Sequence, residues 1–338
     1  MMTKRRKYYF ISLFFVVCLA FAITGRFLHN TPYLPPGWQI TRHLDGILAL
    51  ALDGDIIWVG CKDGVYAVNR KSGAITNKLK HNPTLTYIRS LLVDKSGALY
   101  IGHFNGLTRY DGANFQTYTR KDGLPDNRVN AVLRDRDGRL WVGTWGGAAI
   151  LDSGKWQILT SADGLINTMV NVMFQDSRGG MWFGSYVAPH GGISYFKEGK
   201  WQLFSTGNGL PHNNVTSIFE DNAGSIWGGT GLLDRGGAIQ FVSTGTGWAI
   251  RRVLKQRDGL AADKVRSIFQ DKDGVMWFGS EYDGLARYDK GKWTVFTEKE
   301  GLSQNEVTCM VQDKDGSLWI GTLDGLTRLS YGALKTMH

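Results

Sequence analysis

The sequence predicts an all-β fold, a seven-bladed β-propeller that is closed by an N-terminal strand and preceded by one N-terminal transmembrane helix. The main observation is a short phrase, an aromatic residue followed two residues later by glycine, that returns seven times. Its aromatic residues are Trp58, Tyr100, Trp141, Trp182, Trp227, Trp277 and Trp319, spaced by 42, 41, 41, 45, 50 and 42 residues. A repeat of about 40 residues with several short β-type runs has the size of one four-stranded blade, whereas helical repeats show a 3.6-residue period.

The copy at residues 123–160 shows the organisation of one blade. Its four predicted strands are residues 129–133, 140–143, 148–152 and 155–159. Tight turns rich in aspartate and glycine join these strands, so consecutive strands must be antiparallel neighbours. A single blade has two apolar faces and cannot bury both of them, which favours blades packed face to face around an axis.

The closure of the propeller is predicted from its two ends. The last repeat supplies three strands, near residues 306–312, 318–321 and 325–330, and leaves a tail, residues 331–338, that has no strand pattern. The segment that begins with Gly37 and Trp38 resembles the fourth strands of other blades. We therefore expect residues 38–42 to complete the last blade, so that the propeller covers residues 37–330 and has no open edge at its seam.

The N-terminal part predicts attachment to a membrane. A basic cytoplasmic segment, residues 1–7, precedes 17 uncharged and mostly apolar residues, 8–24. This length is at the lower limit for a helix that crosses a hydrocarbon core of about 30 Å, and the basic cluster favours a cytoplasmic N-terminus. We expect a signal-anchor over residues 8–24, a Pro-containing linker over residues 25–36, and a single-pass protein of the cytoplasmic membrane with a periplasmic propeller. The alternative is a signal peptide cleaved near Ala22, which gives a secreted or periplasmic protein.

Three motifs recur in the blades: Gly-Leu-Pro-x-Asn-x-Val, Asp-x-Asp-Gly-x-x-Trp-x-Gly-Thr and Gly-Leu-x-Arg-Tyr. Examples are residues 209–215, 313–322 and 284–288. Together these motifs resemble the two-component regulator propeller repeat, and the resemblance extends over about residues 37–330. It implies an extracytoplasmic sensor propeller, which in that family usually forms part of a membrane-bound hybrid histidine kinase. This sequence carries a single propeller without a kinase.

The charge of the chain does not indicate nucleic-acid binding. The formal net charge is +9, but five positive charges lie in residues 1–36, which contain no acidic residue. The propeller itself therefore has an excess of only about four positive charges, and no basic run alternates with its aromatic residues.

The sequence predicts no catalytic residue, no metal site and no cofactor. The Asp-x-Asp-Gly turns at Asp135, Asp271 and Asp313 resemble the start of a calcium loop but lack its acidic continuation. We interpret these aspartates as caps of their own turns and the glycines as residues of positive φ. The seven histidines show no paired metal-ligand spacing, and the sequence contains no Gly-x-Ser-x-Gly elbow.

Candidate binding residues lie where the blades differ, since the residues that the blades share are explained by the fold. The loop between the second and third strands varies most and is longest in the fourth and fifth blades. The candidates in these loops are His103, Phe104, Trp145, Tyr186, His190, Asp234, Arg235, Glu281, Tyr282 and Asp283. Alternate connections of a meander share a side, so we expect these residues on one face around a central opening.

These features predict a membrane-anchored extracytoplasmic module that binds a small ligand or another envelope or membrane protein. Such a module acts as a sensor or as an accessory subunit of an envelope complex. The alternative is a propeller enzyme of lyase or hydrolase type, because seven-bladed propellers of the streptogramin-lyase type host catalysis at the axial opening. Histidines and carboxylates that converge on the axis would favour the enzyme, and the histidines expected on the candidate face are His103, His190 and His212.

Overall fold

The computed structural model describes residues 34–79, 84–186 and 189–337. In this part of the chain, 28 strands form seven four-stranded antiparallel sheets, which confirms the predicted all-β seven-bladed propeller. The predicted segments 1–7 and 8–24 lie outside the described residues, as does most of the predicted linker 25–36. Within the described ranges, no helix has the length and apolar character needed to cross a membrane.

Each sheet is a meander of four strands. The first strands are β2 (Ala49–Asp53), β6 (Ser90–Val93), β10 (Val129–Arg134), β14 (Val170–Gln175), β18 (Val215–Glu220), β22 (Val265–Gln270) and β26 (Val307–Gln312). The second strands are β3 (Ile56–Cys61), β7 (Leu99–His103), β11 (Leu140–Thr144), β15 (Met181–Ser185), β19 (Ile226–Leu232), β23 (Met276–Ser280) and β27 (Leu318–Thr322). The third strands are β4 (Gly64–Asn69), β8 (Gly106–Tyr110), β12 (Gly147–Asp152), β16 (Ile193–Lys197), β20 (Arg235–Ser243), β24 (Leu285–Asp289) and β28 (Asp324–Leu329). The fourth strands are β5 (Ile75–Lys78), β9 (Phe115–Tyr118), β13 (Lys155–Leu159), β17 (Lys200–Phe204), β21 (Trp248–Leu254), β25 (Lys292–Phe296) and, in the seventh sheet, β1 (Trp38–Asp45).

The strand β1 is the fourth strand of the seventh sheet. It pairs antiparallel with β28, with Trp38 opposite Leu329. The ring of Trp38 packs against Gly301. The fourth-strand tryptophans Trp156, Trp201 and Trp293 pack in the same way against Gly123, Gly164 and Gly259. The side chain of Trp38 therefore fills the same place in the seventh sheet that these tryptophans fill in the third, fourth and sixth.

The predicted tail, residues 331–338, contains a short helix, α1 (Tyr331–Thr336). The hydroxyl of Tyr331 and the ammonium of Lys335 bind the carboxylate of Asp273, at 3.2 and 2.8 Å. Asp273 belongs to the turn between the first and second strands of the sixth sheet. The helix α1 therefore lies on the face of the propeller that carries these turns.

The recurring aromatic residue of each second strand, a tryptophan in every sheet but the second, is buried inside the propeller. Trp277 and Trp319 have no exposed surface. The indole Nε1–H of Trp277 donates to Oδ2 of Asp271 at 3.0 Å. The other oxygen of Asp271 accepts from the backbone N–H groups of Asp273 and Val275, both at 3.0 Å. The Asp-x-Asp-Gly turn is thus a structural cap, because the fold uses both oxygens of its first carboxylate.

Five single-turn 3-10 helices lead from a fourth strand toward the next first strand. They are Arg120–Asp122, Ser161–Asp163, Thr206–Asn208, Gln256–Asp258 and Glu298–Glu300. Each is followed by a glycine whose φ lies between 109° and 119°. Glycine reaches this region without the steric penalty of a Cβ atom, which explains the recurring glycine at the start of each loop.

Five of the first strands begin with a β-bulge next to the axis. In β10, Val129 pairs with Thr144 and Ala131 pairs with Gly143, so Asn130 is an extra residue between them. The same irregularity occurs at the start of β14, β18, β22 and β26. A bulge changes the direction of the side chain at the extra residue, and the bulged residues of these strands line the centre of the propeller.

Candidate functional site

A small cavity lies on the axis, at the end of the propeller where the first strands begin. Its volume is about 180 Å³, and we call it the axial pocket. It is lined by Leu48, Arg89, Asn130, Asn171, Tyr186, Thr216, Arg266 and Thr308. Seven of these residues come one from each sheet, and Tyr186 comes from the loop between the second and third strands of the fourth sheet. None of these eight described residues is a histidine or a carboxylate, the groups that would favour catalysis at the axial opening.

Four of the axial residues hold neighbouring sheets together. Each donates a side-chain hydrogen bond to a carbonyl at the start of the next first strand: Asn130 to Val170 (3.0 Å), Asn171 to Val215 (2.8 Å), Thr216 to Val265 and Thr308 to Ile47 (2.7 Å). These bonds use the single proton of each threonine hydroxyl, so its oxygen remains able to accept from another group. A belt of hydrogen bonds therefore joins the sheets around the axis, and its threonine oxygens remain able to accept a further hydrogen bond.

Arg89 and Arg266 differ from those four residues because each brings a guanidinium group to the axis. Arg266 forms ion pairs with Glu306 at 3.2 Å and with Glu281 at 3.6 Å. In contrast, Arg89 forms no ion pair and no side-chain hydrogen bond with any residue in the described ranges. Burial, and then the charge of Arg266, lower the pKa of Arg89. The fold itself therefore leaves the charge of Arg89 uncompensated.

Lys264 connects the axial pocket with the outer part of the same face. Its ammonium group forms a close ion pair with Glu281 and lies 3.5 Å from the hydroxyl of Tyr186. Together with the two axial arginines it gives three cations, against the two carboxylates of Glu281 and Glu306. One positive charge is therefore in excess around the axial pocket.

A larger cavity lies beside the axis between the fifth and sixth sheets. Its volume is about 730 Å³, and we call it the rim pocket. Four of the sequence-predicted residues line it: Asp234, Glu281, Tyr282 and Asp283. Leu233 and Tyr282 at its edge are 67% and 59% exposed. The rim pocket thus combines charged walls with large apolar side chains that face solvent.

Phe104 and Trp145 belong to an aromatic row next to the second and third sheets, which we define as Tyr87, Phe104 and Trp145; Tyr87 and Phe104 are exposed, and Trp145 is half-buried. The ring centroids of Tyr87 and Phe104 are 5.3 Å apart, and those of Phe104 and Trp145 are 6.1 Å apart. The guanidinium of Arg128 lies 4.0 Å from the centroid of Trp145 and pairs with Asp126 at 2.8 Å. The aromatic row is therefore supported by a cation–π contact that is itself held by a carboxylate.

The structure buries His103 at the end of β7 and does not expose it on the candidate face. This side chain has no exposed surface, and its Nε2 atom lies 2.8 Å from the hydroxyl of Thr108. Its Nδ1 atom accepts from the backbone N–H of Asn105 at 3.3 Å. Burial lowers the pKa of His103 to about 4. His103 is therefore a neutral residue of the blade interior.

The other predicted residues do not meet in one pocket. Tyr186 lines the axial pocket and forms an isolated bridge with Asn214, whereas His190 and Arg235 are exposed and line neither pocket. His212 is half-buried, and burial, followed by the charge of Arg235, lowers its pKa. The three histidines considered from the sequence therefore occupy three different environments.

Apart from Tyr186, the residues of the axial pocket were not predicted from the sequence. Each sheet has its own side chain there, so these residues form no repeated motif. Their position is the signal that could have found them, since the seven residues at the starts of the first strands each follow directly after a buried aliphatic residue, as in Val129-Asn130 and Val265-Arg266.

Five segments of the chain match the family described as two component regulator propeller: residues 123–146, 164–187, 209–231, 259–282 and 301–324. Each segment begins at the glycine that follows a 3-10 helix and continues through the second strand. Each matched segment therefore covers the end of the connection between two sheets and the first two strands of the sheet that follows. No curated protein matches the sequence significantly.

Several solved structures have a similar fold. One is described as the extracellular domain of a hybrid two component system from B. thetaiotaomicron, with 19% identity and a TM-score of 0.76 over 90% of this chain; this chain spans 42% of that one. A virginiamycin B lyase from Staphylococcus aureus has 15% identity and a TM-score of 0.66, over 87% of this chain and 98% of that chain. PorZ, a surface component of the type-IX secretion system of Porphyromonas gingivalis, has 17% identity and a TM-score of 0.65, over 86% of this chain and 47% of that chain. At these identities the similarity shows the fold alone.

Proposed function

Because the chain carries two-component regulator propeller repeats, we propose that it is an extracytoplasmic, membrane-anchored module that binds a protein partner. In this proposal, residues 8–24 anchor the chain in the cytoplasmic membrane, and the propeller lies on the periplasmic side. The binding face carries the rim pocket and the aromatic row. Similar folds in an extracellular sensor domain and in a secretion-system surface component support a location outside the cytoplasm.

The exposure of large apolar side chains at two places on this face is the observation that carries the proposal. Leu233 and Tyr282 project at the rim pocket, while Tyr87 and Phe104 are exposed in the aromatic row. Soluble domains seldom leave clusters of large apolar side chains in water unless the clusters bind something. Charged residues such as Asp234 surround the apolar groups at the rim pocket, an arrangement found in protein interfaces with apolar anchors and a polar rim.

Site-specific photo-crosslinking in cells tests the proposal. A photoreactive amino acid at Leu233 or at Tyr87 is expected to give an adduct of defined mass in the membrane fraction. The matched control is the same amino acid at Lys314, an exposed position in the turn between β26 and β27 on the opposite face. Adducts from Lys314 alone, or a full-length protein recovered only from the soluble cytoplasmic fraction, would contradict the proposal.

A further inference from the structure

We propose that the axial pocket is a binding site for a small hydroxycarboxylate anion. The axial pocket shares no lining residue with the rim pocket or with the aromatic row. The inference goes beyond the docking proposal, since it concerns a small molecule that the propeller binds without any protein partner.

The uncompensated charge of Arg89 is the first reason. Arg89 is half-buried, and partly removing a guanidinium from water carries a free-energy penalty unless an anion or several hydrogen-bond acceptors replace the lost water. Arg266 has two carboxylate partners, Glu281 and Glu306, whereas Arg89 has no partner in the described part of the chain. The fold does not need a charge at this position, because Leu48 occupies the equivalent place in the first sheet. A ligand that supplies the missing anion explains why an arginine is kept here.

The charge balance specifies a single negative charge. The cations and carboxylates around the pocket leave one positive charge in excess. A monoanionic carboxylate neutralises this excess and can receive two parallel hydrogen bonds from one guanidinium. An amino-acid zwitterion has no net charge, so it leaves the excess in place.

The remaining hydrogen-bonding capacity of the lining specifies a hydroxyl group. The hydroxyl protons of Thr216 and Thr308 and one amide proton of Asn171 are already donated to backbone carbonyls. Their oxygens remain as acceptors, and a ligand that carries its own donor can bond to them directly. The volume of about 180 Å³ is below the range of about 300–1,000 Å³ typical of drug-sized ligands. These properties together describe a hydroxycarboxylate of a few heavy atoms.

Calorimetric titration of the full-length protein in detergent tests the site with three probes: glycolate, acetate and glycolamide. Ionic strength is held constant with sodium chloride. Glycolate is expected to bind, acetate to bind more weakly because it lacks the hydroxyl, and glycolamide to show no binding because it lacks the charge. Arg89→Met and Arg89→Gln are each expected to weaken glycolate binding about tenfold or more, since each removes a charged hydrogen bond.

Two controls separate this site from general charge effects and from damage to the fold. Arg235→Met removes an exposed cation from the same face, outside the axial pocket, and is expected to leave the affinity for glycolate unchanged. Without ligand, Arg89→Met is expected to have a Tm equal to or above that of the wild type, because it removes an uncompensated charge. Equal binding of glycolate and glycolamide, wild-type binding by both Arg89 variants, or a lower Tm of unliganded Arg89→Met would each overturn the inference.

Discussion

In every sheet but the second, a hydrogen bond between one aspartate and one tryptophan joins a turn to the second strand. In the sixth sheet, the carboxylate of Asp271 joins the turn between β22 and β23 to the indole of Trp277 on the neighbouring strand. Both residues are buried. Removing one partner leaves the other without its hydrogen bond in a site that water does not reach, which is more unfavourable than removing both.

We therefore expect Trp277→Phe and Asp271→Asn each to lower the free energy of unfolding by about 1–3 kcal/mol. The double variant is expected to lose less than the two single losses added together, because the pair acts as a unit. Urea unfolding of the four proteins measures the coupling, with the exposed Asp137→Asn as the control. Strict additivity would show that the bond between Asp271 and Trp277 does not couple the turn to the strand.

The stability of the protein is also expected to depend on pH through a single buried residue, His103. Burial lowers the pKa of His103 to about 4 from an ordinary value of 6.5, so the unfolded chain binds a proton that the folded chain excludes. The contribution of His103 to stability is therefore complete above about pH 6.5 and is lost as the pH falls toward 4. The free energy of unfolding falls by about 3 kcal/mol at most as a result.

Urea unfolding at several pH values between 4 and 7.5 checks this expectation. The difference in stability between wild type and His103→Gln is expected to change through that window. The exposed His190→Gln is the control for the loss of one histidine. A constant difference between wild type and His103→Gln would mean that His103 titrates alike in the folded and unfolded chains.

His103 also shows what the sequence could and could not predict about the site. It lies three residues after the aromatic anchor of its repeat, the position of Thr144 and Thr322 in other sheets. All three are buried at the end of a second strand. The sequence analysis placed His103 in the variable loop because its residue type differs, although its position in the repeat predicts an inward direction. The loop residues of the rim pocket were predictable, since they lie outside the repeated pattern.

At the scale of strands and turns, the strands themselves were predictable because a glycine-containing turn or loop separates them at regular spacing. The axial pocket was not, because it depends on the register between neighbouring strands. A bulge of one residue at the start of β10 moves Asn130 onto the axis, and register follows from pairing, which single-strand patterns do not encode. The extra residue of the bulge is asparagine, threonine or arginine in different sheets, so no sequence motif marks it.

The turns of the first and last sheets are joined by a cluster of charges around Arg70. This guanidinium is buried and binds Asp55 at 2.9 Å, Asp313 at 3.5 Å and, at close range, Asp315. The hydrogen bond from Arg70 lowers the pKa of both Asp55 and Asp315. Depressed carboxylate pKa values mean that this contribution to stability is present above about pH 4 and is lost on further acidification.

We expect Arg70→Met to lower the free energy of unfolding by about 2–3 kcal/mol at neutral pH. This value is below that of a fully buried ion pair, because Asp55 and Asp315 keep contact with solvent. The matched control is Lys71→Met, which removes an exposed cation that also pairs with Asp55 and is expected to change stability by less than about 1 kcal/mol. Thermal and urea unfolding at pH 7 and pH 3 measure both variants, and an effect of Arg70→Met that is as large at pH 3 would contradict this account.

For the whole molecule, the described chain begins and ends on one face of the propeller. The backbone carbonyl of Gly37, just before β1, accepts from the N–H of Ser330 at 2.8 Å. Ser330 caps α1, and α1 contacts the turn at Asp273. The rim pocket and the aromatic row occupy the other face. We therefore predict that, in a membrane-anchored protein, Asp234 lies farther from the bilayer than Asp137, which is in a turn of the opposite face.

Fluorescence quenching tests this orientation in vesicles that hold the full-length protein with its native cysteines replaced. A probe on a single cysteine at Asp137 is expected to be quenched more strongly by a membrane-depth quencher than a probe at Asp234. Both aspartates lie in exposed loops or turns, so the two labelled proteins are matched in accessibility. Stronger quenching at Asp234 would reverse the orientation.

The belt on the axis has a consequence for how such a propeller diversifies. Asn130, Asn171, Thr216 and Thr308 each hold two sheets together, whereas Leu48 and Arg89 make no such bond between sheets in the described residues. Mutations at these last two positions alter the chemistry of the pocket without breaking a contact that the fold requires. Stability is therefore expected to stay nearly constant when either of these positions is substituted. Among the seven axial positions, those that can change without loss of a hydrogen bond between sheets are thus restricted to two neighbouring sheets, the first and the second.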